Sequence, residues 1–216
     1  MIVNDWGLID YHIAESQQID LFEKKLEAKA QKKSSENYLN ILEHNPVYTL
    51  GKNADEKNIL PIARTSGASF HHISRGGDVT FHGPGQLVVY PIIDLQDFKM
   101  GVRAYVTALE NIGIELCASY GIEAKASEEE GVWIDLGTTK ARKIMAIGIK
   151  VSRYITMHGI AFNVNTDLNY FSFIIPCGIP DKGVTSLQRE LGKEVDMQEF
   201  KDRYVEVFKK YFNRVR

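Results

Sequence analysis

The chain has 216 residues and a mass of 24.5 kDa, which suits one large domain and leaves little room for two. A formal net charge of -2, with 44% apolar and 25% charged residues, is typical of a folded protein and argues against disorder, a fibre or a general nucleic-acid binder. Two cysteines are too few for a disulfide framework, so a reducing compartment is expected. We therefore expect one domain over residues 1–216.

The N-terminal segment gives an expectation about location. It carries Asp5 and lacks the basic and apolar regions of a secretory signal. The apolar run from Leu87 to Ile93 is far shorter than the roughly 20 residues that cross a bilayer. The sequence thus predicts a cytoplasmic protein without a membrane partner.

The first half of the chain contains two predicted helices with two predicted strands between them. A helix from about Ser16 to Lys33 is indicated by apolar residues at helical spacing, namely Ile19, Phe22, Leu26 and Ala30. Apolar runs rich in β-branched residues predict strands at Val47–Leu50 and Leu87–Asp94. The second helix, Val102–Tyr120, is followed by Gly121, which stands where a glycine commonly ends a helix.

The second half adds three predicted strands and a final helix. The strands are Gly131–Leu136, Ile144–Ser152 and Ile155–Val164, and the short polar loop after the first predicts an antiparallel hairpin. Asp196 is the predicted N-cap of the last helix. This helix carries an aromatic stripe that indicates core packing: Phe200, Tyr204, Phe208 and Phe212. Residues after about Lys182 belong either to the same domain or to a small C-terminal appendage.

The order of these elements predicts the fold class. Helices are few and do not alternate regularly with the strands, which argues against a parallel α/β sheet. We therefore expect an α+β protein with a mixed, mainly antiparallel sheet packed with helices. Within the fourth predicted strand, Ile144–Ser152, the side chains of Ile147, Ile149 and Val151 lie on one face of the sheet, because they alternate with period two.

The segment Arg75–Gln86 is unusually rich in glycine, with four of the 17 glycines of the chain. Gly83–Gly85 predicts a type II turn, because Pro84 fixes the first central residue and the following glycine accepts a positive φ. Gly76 and Gly77 would let the backbone approach another group closely. Donors around that opening are Arg75, Thr80 and His82. The spacing matches neither common nucleotide-binding glycine motif.

Cys177 lies between a proline and a glycine, which predicts a loop and an accessible thiol. Cys117 falls within the second predicted helix and is expected to be a small buried apolar residue. A thiol with an ordinary pKa of about 8.5 needs a base or a cation beside it to act as a nucleophile. The candidate partners in the sequence are His82, His158 and Lys143.

Each candidate partner leaves a structural alternative open. His158 interrupts an apolar strand and is either a site residue or a hydrogen-bonded core histidine. Lys143 either points into the site or marks the exposed start of a strand. The stretch from Leu136 to Thr166 contains no acidic residue, but it carries Lys140, Arg142, Lys143, Lys150 and Arg153. This pattern favours an acidic partner, with a solvated charged face as the alternative.

Several of these segments together closely resemble the lipoyl(octanoyl) transferase family. In chain order they are His44–Gly51, Arg75–Gln86, Lys143–Gly148, His158–Asn165, Pro176–Gly178 and Gly183–Leu187. The match runs in order from about position 44 to 190. The resemblance implies a fold similar to the catalytic domain of biotin and lipoate protein ligases. It also implies a reaction that moves an octanoyl group, as a step of lipoate biosynthesis.

The resemblance further implies the partners and the site residues. The donor would be octanoyl-acyl carrier protein, and the acceptor a lysine on lipoyl domains of 2-oxo acid dehydrogenases or on the glycine cleavage H protein, with no cofactor and no metal. Cys177 matches the nucleophile that holds the acyl group as a thioester, and Lys143 the lysine that lowers the pKa of the thiol and transfers protons. The substrate would be enclosed by Arg75, Gly76, Gly77, Asp78, Val79, Thr80, Phe81, His82, Ala146, Ile147, Gly148, Gly159, Ile160 and Ala161. Asp78 departs from the glutamine common there.

Three other functions compete with this interpretation. An ATP-dependent lipoate or biotin ligase on the same fold would need no cysteine, and Arg75–Gln86 lacks the Gly-Arg-Gly-Arg pattern of biotin ligases. A domain that only binds lipoyl domains or acyl carrier protein would not need both Cys177 and Lys143. A related amidotransferase would take octanoyl from an already modified protein, and only a comparison of donors separates it from the transferase.

Overall fold

The computed structural model describes residues 1–127, 130–175 and 183–212. The helices are α1 (Tyr11–Ala30), α2 (Val102–Ser119), α3 (Leu187–Leu191) and α4 (Met197–Tyr211). The strands are β1 (Ile2–Ile9), β2 (Tyr38–His44), β3 (Val47–Leu50), β4 (Ser69–His72), β5 (Val79–His82), β6 (Gln86–Ile92), β7 (Lys125–Ala126), β8 (Val132–Ile134), β9 (Arg142–Ser152), β10 (Ile155–Asn163) and β11 (Gly183–Val184).

Most strands join one large sheet in the order β1-β2-β6-β10-β9-β8-β7, and β11 pairs with β9. The β1–β2 and β9–β11 pairs are parallel, whereas the other pairs of this sheet are antiparallel. A smaller sheet has the order β4-β3-β5. The expected α+β class with a mixed, mainly antiparallel sheet is therefore confirmed.

One face of the large sheet packs against α2 and α4. Alternate residues of the strands, among them Leu87 and Phe162, enter this main core. The predicted aromatic stripe of α4 is buried in the same core, and the rings of Phe208 and Phe212 stack at 4.2 Å between centroids. The helix α4 therefore supplies part of the main core.

The opposite face of the large sheet is covered by α1 and by the small sheet. Ala14 of α1 packs on Val88 and Ala161, which lie on this face of β6 and β10. The small sheet has a core of its own, in which Phe81 stacks on Tyr170 at 4.4 Å between ring centroids. A cavity lies between α1, the small sheet and this face of the large sheet.

Local signals at the helix ends behave as expected. The Asp196 carboxylate accepts the N–H of Glu199 at 2.9 Å and caps α4. Gly121 follows α2 with a φ of 76°, and the N–H of Ile122 donates to the carbonyl of Cys117. Pro84 and Gly85 form the predicted turn, with Gly85 at φ 78° and a bond from Gln86 N–H to Gly83 O.

The prediction for α1 is wrong in its start and in its buried face. The helix begins at Tyr11, and Ile19 is among its exposed residues. Its buried face includes two polar residues, Gln18 and Lys25. Gln18 Oε1 accepts the His158 N–H, and Lys25 Nζ donates to Ser35 Oγ and Glu36 O, whereas Gln18 Nε2 has no partner among the described residues. Buried polar residues hide a buried helix face from sequence analysis, because the pattern of apolar residues no longer marks it.

The strand predictions hold where apolar residues dominate and fail elsewhere. The predicted segments correspond to β3, β6, β8, β9 and β10, and the expected antiparallel hairpin joins β8 to β9. The strands β1, β2, β4, β5, β7 and β11, and the short α3, are not predicted. Among the described residues, no helix combines the length and the apolar character that a bilayer crossing requires.

Candidate functional site

A cavity of about 590 Å³, including its open mouth, lies between the large sheet, the small sheet and the start of α1. Of the expected substrate-enclosing residues, the following border it: Arg75, Gly76, Gly77, Asp78, Val79, Thr80, His82, Ala146, Ile147, Gly148, Gly159, Ile160 and Ala161. Lys143 and His158 border it as well. Segments that are far apart in the chain thus meet at one cavity.

Phe81 is the expected substrate-enclosing residue that does not border the cavity. It alternates along β5 with Thr80 and His82, and its ring lies in the core of the small sheet instead. Three bordering residues were not expected from the sequence: Tyr11, Ile73 and Tyr90. Tyr11 lies before the predicted start of its helix, and Tyr90 is hidden in an apolar strand, so neither gave a signal.

The floor of the cavity consists of four small residues on the two central strands β9 and β10. Ala146 is the direct partner of Ala161, and Gly148 that of Gly159. A Cβ at Gly159 would lie 2.1 Å from the Val89 carbonyl oxygen, so only glycine fits there. The floor is therefore almost free of side chains, which suits a flat or narrow apolar group.

Arg75 holds the glycine-rich loop in place. Its buried guanidinium donates to the carbonyls of Thr49, Gly76 and Asp78, each at 2.8 Å. The loop packs tightly on Gly51, where a Cβ would lie 2.2 Å from the Gly77 carbonyl oxygen. Gly77 itself has a φ of 87°. Arg75 thus acts on the shape of the cavity wall through backbone carbonyls.

The Asp78 carboxylate is used for structure. It accepts hydrogen bonds from the N–H groups of Asp55 and Val79 and from the Asn58 side chain. Asn58 in turn accepts the N–H of Ile175 through its carbonyl, at 2.8 Å. The aspartate that departs from the family glutamine therefore ties the glycine-rich loop to residues 55–58 and, through them, to Ile175.

Lys143 lies at the cavity near the start of β9. Its Nζ lies 4.6 Å from the centroid of the Trp133 ring, which is a cation–π distance. In the sheet, Lys143 pairs with Trp133 on the antiparallel strand β8 and with Val184 on the parallel strand β11. Lys143 therefore points into the site and does not mark the exposed start of a strand.

The cavity histidines are neutral at pH 7. Burial lowers the pKa of His82 to about 3, and nearby His44 and Arg75 act in the same direction. Burial lowers the pKa of His158 to about 3 as well, with Arg75 and Lys150 adding to it. His82 is held by Gln86 and Thr49, at 2.8 and 3.3 Å. These imidazoles offer hydrogen bonds and no charge.

The two cysteines have different positions. Cys177 lies outside the described residues, and so does the rest of the Pro176–Gly178 turn. Cys117 is fully buried in α2, as expected, and burial raises its pKa to about 12. The described residue that follows the undescribed stretch, Gly183, bonds to the Ala141 carbonyl and begins β11 beside β9.

The acid-free stretch of the sequence is not acid-free in space. Arg142 forms ion pairs with Asp135 and with Glu190, which is bidentate at 2.7 and 2.6 Å. Its charge is therefore compensated, while Lys140 and Arg153 are exposed. The expected positive field is weaker than the sequence alone indicates.

Comparison with known proteins identifies the family. Residues 18–209 match the model of the lipoyl protein ligase A/B catalytic domain. An octanoyltransferase of Bacteroides fragilis is 52% identical over 206 residues, covering 94% of this chain and 93% of the relative. An octanoyltransferase of Flavobacterium johnsoniae is 47% identical over 214 residues, covering 94% of this chain and 92% of the relative.

Solved structures support the fold. A bipartite lipoate protein ligase of Thermoplasma acidophilum superposes with a TM-score of 0.68 at 15% identity, covering 98% of this chain and 84% of that one. At that identity the likeness extends to the architecture alone. The sequence matches are much closer, and from them the chain belongs to the lipoyl protein ligase A/B catalytic domain family and, within it, to the octanoyltransferases, which are acyltransferase enzymes.

Proposed function

We propose that this protein transfers an octanoyl group from octanoyl-acyl carrier protein to a specific lysine of lipoyl domains, through a thioester on Cys177, as a step of lipoate biosynthesis. The acceptors are the lipoyl domains of 2-oxo acid dehydrogenases and the glycine cleavage H protein. The observation that carries this proposal is the cavity, which is bordered by Lys143 and by the paired small residues Ala146–Ala161 and Gly148–Gly159. The chain that forms it is about half identical to octanoyltransferases. The whole chain acts as one catalytic unit, and the reaction takes place in the cytoplasm, where thiols stay reduced.

In the first half-reaction, the Cys177 thiolate attacks the donor carbonyl, the bond from that carbonyl to the carrier sulfur breaks, and the departing carrier thiolate takes up the proton that Cys177 had lost. Exchange of an acyl group between a thioester and a thiol is close to thermoneutral, so it needs a thiolate and an oriented carbonyl. The Lys143 ammonium supplies a positive charge that lowers the pKa of the thiol. An already activated thioester requires neither ATP nor a metal.

In the second half-reaction, the acceptor lysine attacks the acyl-enzyme thioester and Cys177 leaves. The incoming amine carries an extra proton near neutral pH and must lose it before attack. Lys143 in its neutral form accepts a proton, whereas the first half uses its charged form. Cys177 and Lys143 therefore act together in both half-reactions.

The cavity holds the acyl chain. Its floor of Ala146, Gly148, Gly159 and Ala161 gives the chain a smooth apolar surface. The backbone of the glycine-rich loop, fixed by Arg75, forms the facing wall. An ATP-dependent ligase remains the alternative, but the solved ligases share the fold at about 15% identity, whereas the relatives at about 50% are octanoyltransferases.

The test is intact-protein mass spectrometry after mixing with octanoyl-acyl carrier protein in the absence of ATP. We expect a gain of one octanoyl group that hydroxylamine removes and that a lipoyl domain accepts in a chase. Cys177→Ser should form no thioester, whereas the matched variant Cys117→Ala should form it, because Cys117 is buried in α2. Modification of the acceptor only with free octanoate and ATP would instead identify a ligase.

A further inference from the structure

The polar side chains that border the cavity fall into two classes. Some are satisfied within the protein: His82 bonds to Gln86, and Tyr90 Oη bonds to His44 Nε2 at 2.8 Å. Two are not: Tyr11 Oη and His158 Nε2 are buried and have no hydrogen-bond partner among the described residues. Tyr11 is only 3% exposed and His158 only 2%. Buried polar atoms of this kind call for an explanation, because proteins rarely leave them without a partner.

The backbone of His158 shows that its ring is held on the cavity side. By register His158 is the partner of Ile149, whose side chain packs against the main core on the opposite face. Yet the His158 ring lies on the cavity side, with its centroid 6.4 Å from that of Tyr90. His158 has a φ of 59° in the middle of β10, a strained conformation for this residue, and its N–H bonds to Gln18 Oε1. A strained strand residue that turns a polar ring into a cavity indicates a role there.

His158 lies far from the reactive end. Ile149, the partner of His158, lies six positions after Lys143 along β9, which is about 20 Å along the strand. An eight-carbon chain with bonds of about 1.5 Å spans no more than about 10 Å. On the proposed function, a chain whose carbonyl lies beside Lys143 therefore ends before it reaches His158.

We propose that Tyr11 and His158 form a polar end wall that sets the upper limit on the length of the acyl chain. A longer saturated chain that reaches the wall places apolar groups against both polar atoms and offers them no hydrogen bond. A chain of the same size that ends in a hydroxyl group offers one. Since His158 is neutral, its ring offers one donor and one acceptor, and the Tyr11 hydroxyl offers both. The wall thus discriminates by polarity as well as by size.

The experiment measures kcat/KM with octanoyl, decanoyl, dodecanoyl and tetradecanoyl donors. It also includes the chains in which a hydroxyl replaces the last methyl group. At the first length where wild-type activity falls, we expect the hydroxyl-ended donor to be about tenfold better than the saturated donor of equal size. Tyr11→Phe should remove most of this preference and raise the activity with the longer saturated donor, relative to octanoyl, by about tenfold.

The control is Tyr204→Phe, which removes a buried hydroxyl that also has no described partner but lies in the main core. It should leave both ratios at the wild-type values. His158→Phe is a second variant of the end wall. If the strained backbone at position 158 does not tolerate phenylalanine, Tyr11→Phe alone tests the proposal. The proposal would be wrong if Tyr11→Phe changed kcat/KM equally for all chain lengths or left both ratios unchanged.

Binding of the same free acids, measured by calorimetry, separates this inference from the proposed function. If wild-type protein transfers octanoyl but the variants keep the wild-type length profile, the wall is overturned and the proposed function stands. If no donor is turned over, the proposed function fails, and the wall is decided by the affinities alone. In that case, the end wall is supported if wild-type protein binds the hydroxyl-ended acid more tightly and Tyr11→Phe abolishes this preference. Equal affinities of the wild-type protein for the two acids would refute the end wall.

Discussion

The two faces of the large sheet bury different kinds of side chain. The face under α2 and α4 is built from aliphatic and aromatic groups, such as Leu109 and Phe208. The face towards α1 and the small sheet buries Gln18, His82 and His158 among its polar residues. Both faces use the same strands, because alternate residues of β6, β9 and β10 point to opposite sides.

This difference shows how one sheet separates stability from chemistry. Apolar burial stabilises the fold without directional contacts. Buried polar groups lower stability unless they find partners, so the cavity side depends on a network such as His82–Gln86–Asn163. Tyr11 Oη and His158 Nε2 on this side have no such partner among the described residues. Substitutions on the core face should therefore change stability, and those at the cavity should change activity.

The largest expected effect on stability is that of Phe208→Ala in the main core. Phe208 is fully buried and stacks on Phe212, so its truncation leaves a cavity. We expect the free energy of unfolding in urea to fall by about 3 to 5 kcal/mol. Under conditions where the variant is folded, octanoate binding should match the wild type. A weaker affinity in the folded variant would break the separation between the faces.

Lys143→Met should have the converse effect. On the proposed function, loss of the ammonium should lower the rate of acyl-enzyme formation at pH 7 by roughly 100-fold. The methionine keeps most of the apolar stem against Trp133, so the free energy of unfolding should change by less than about 1 kcal/mol. Rapid-quench mass spectrometry gives the rate, and exposed Lys140→Met is the matched control. An unchanged rate would remove the role assigned to Lys143.

The success of the sequence predictions follows the same division. The helix α4 was predicted with its N-cap and its buried stripe, because aromatic residues at helical spacing dominate its contact with the core. The helix α1 was misplaced, because Gln18 and Lys25 occupy its buried face. Hydrophobic periodicity detects apolar burial, and it cannot detect a polar residue whose partner comes from a distant segment.

In the candidate site, the glycine-rich loop and Lys143 were predicted from the residues themselves, whereas the small residues of β9 and β10 came from the family resemblance. The glycine-rich loop, Lys143 and the small residues of β9 and β10 do border one cavity. Tyr11, Ile73 and Tyr90 were missed, since only the tertiary fold brings them there. The left-handed backbone of His158 also has no sequence signal, because its strain depends on contacts with α1.

The pH dependence of stability offers a third test. Burial holds the pKa of His44 at about 4 and of His82 at about 3, whereas an unfolded histidine titrates near 6.5. Below that value the unfolded chain binds more protons, so the free energy of unfolding falls as the pH drops from about 6.5 towards 4. In His82→Gln this loss between pH 6.5 and 5 should be smaller by about 2 kcal/mol. Exposed His12→Gln is the control, and equal slopes in both variants would contradict a neutral His82.

The smallest effect concerns the two helix starts. Asp196 caps α4 through its carboxylate, whereas Asp10 at the start of α1 makes no side-chain cap bond and accepts a hydrogen bond from Asn45. Asp196→Ala should lower the free energy of unfolding by about 1 kcal/mol, and Asp10→Ala by less, since no helix donor loses a partner. The helix on the core face thus depends on its own cap, and the helix beside the cavity on contacts with other segments. A larger loss in Asp10→Ala, measured by urea unfolding, would show that the exposed Asn45 contact matters more than the cap.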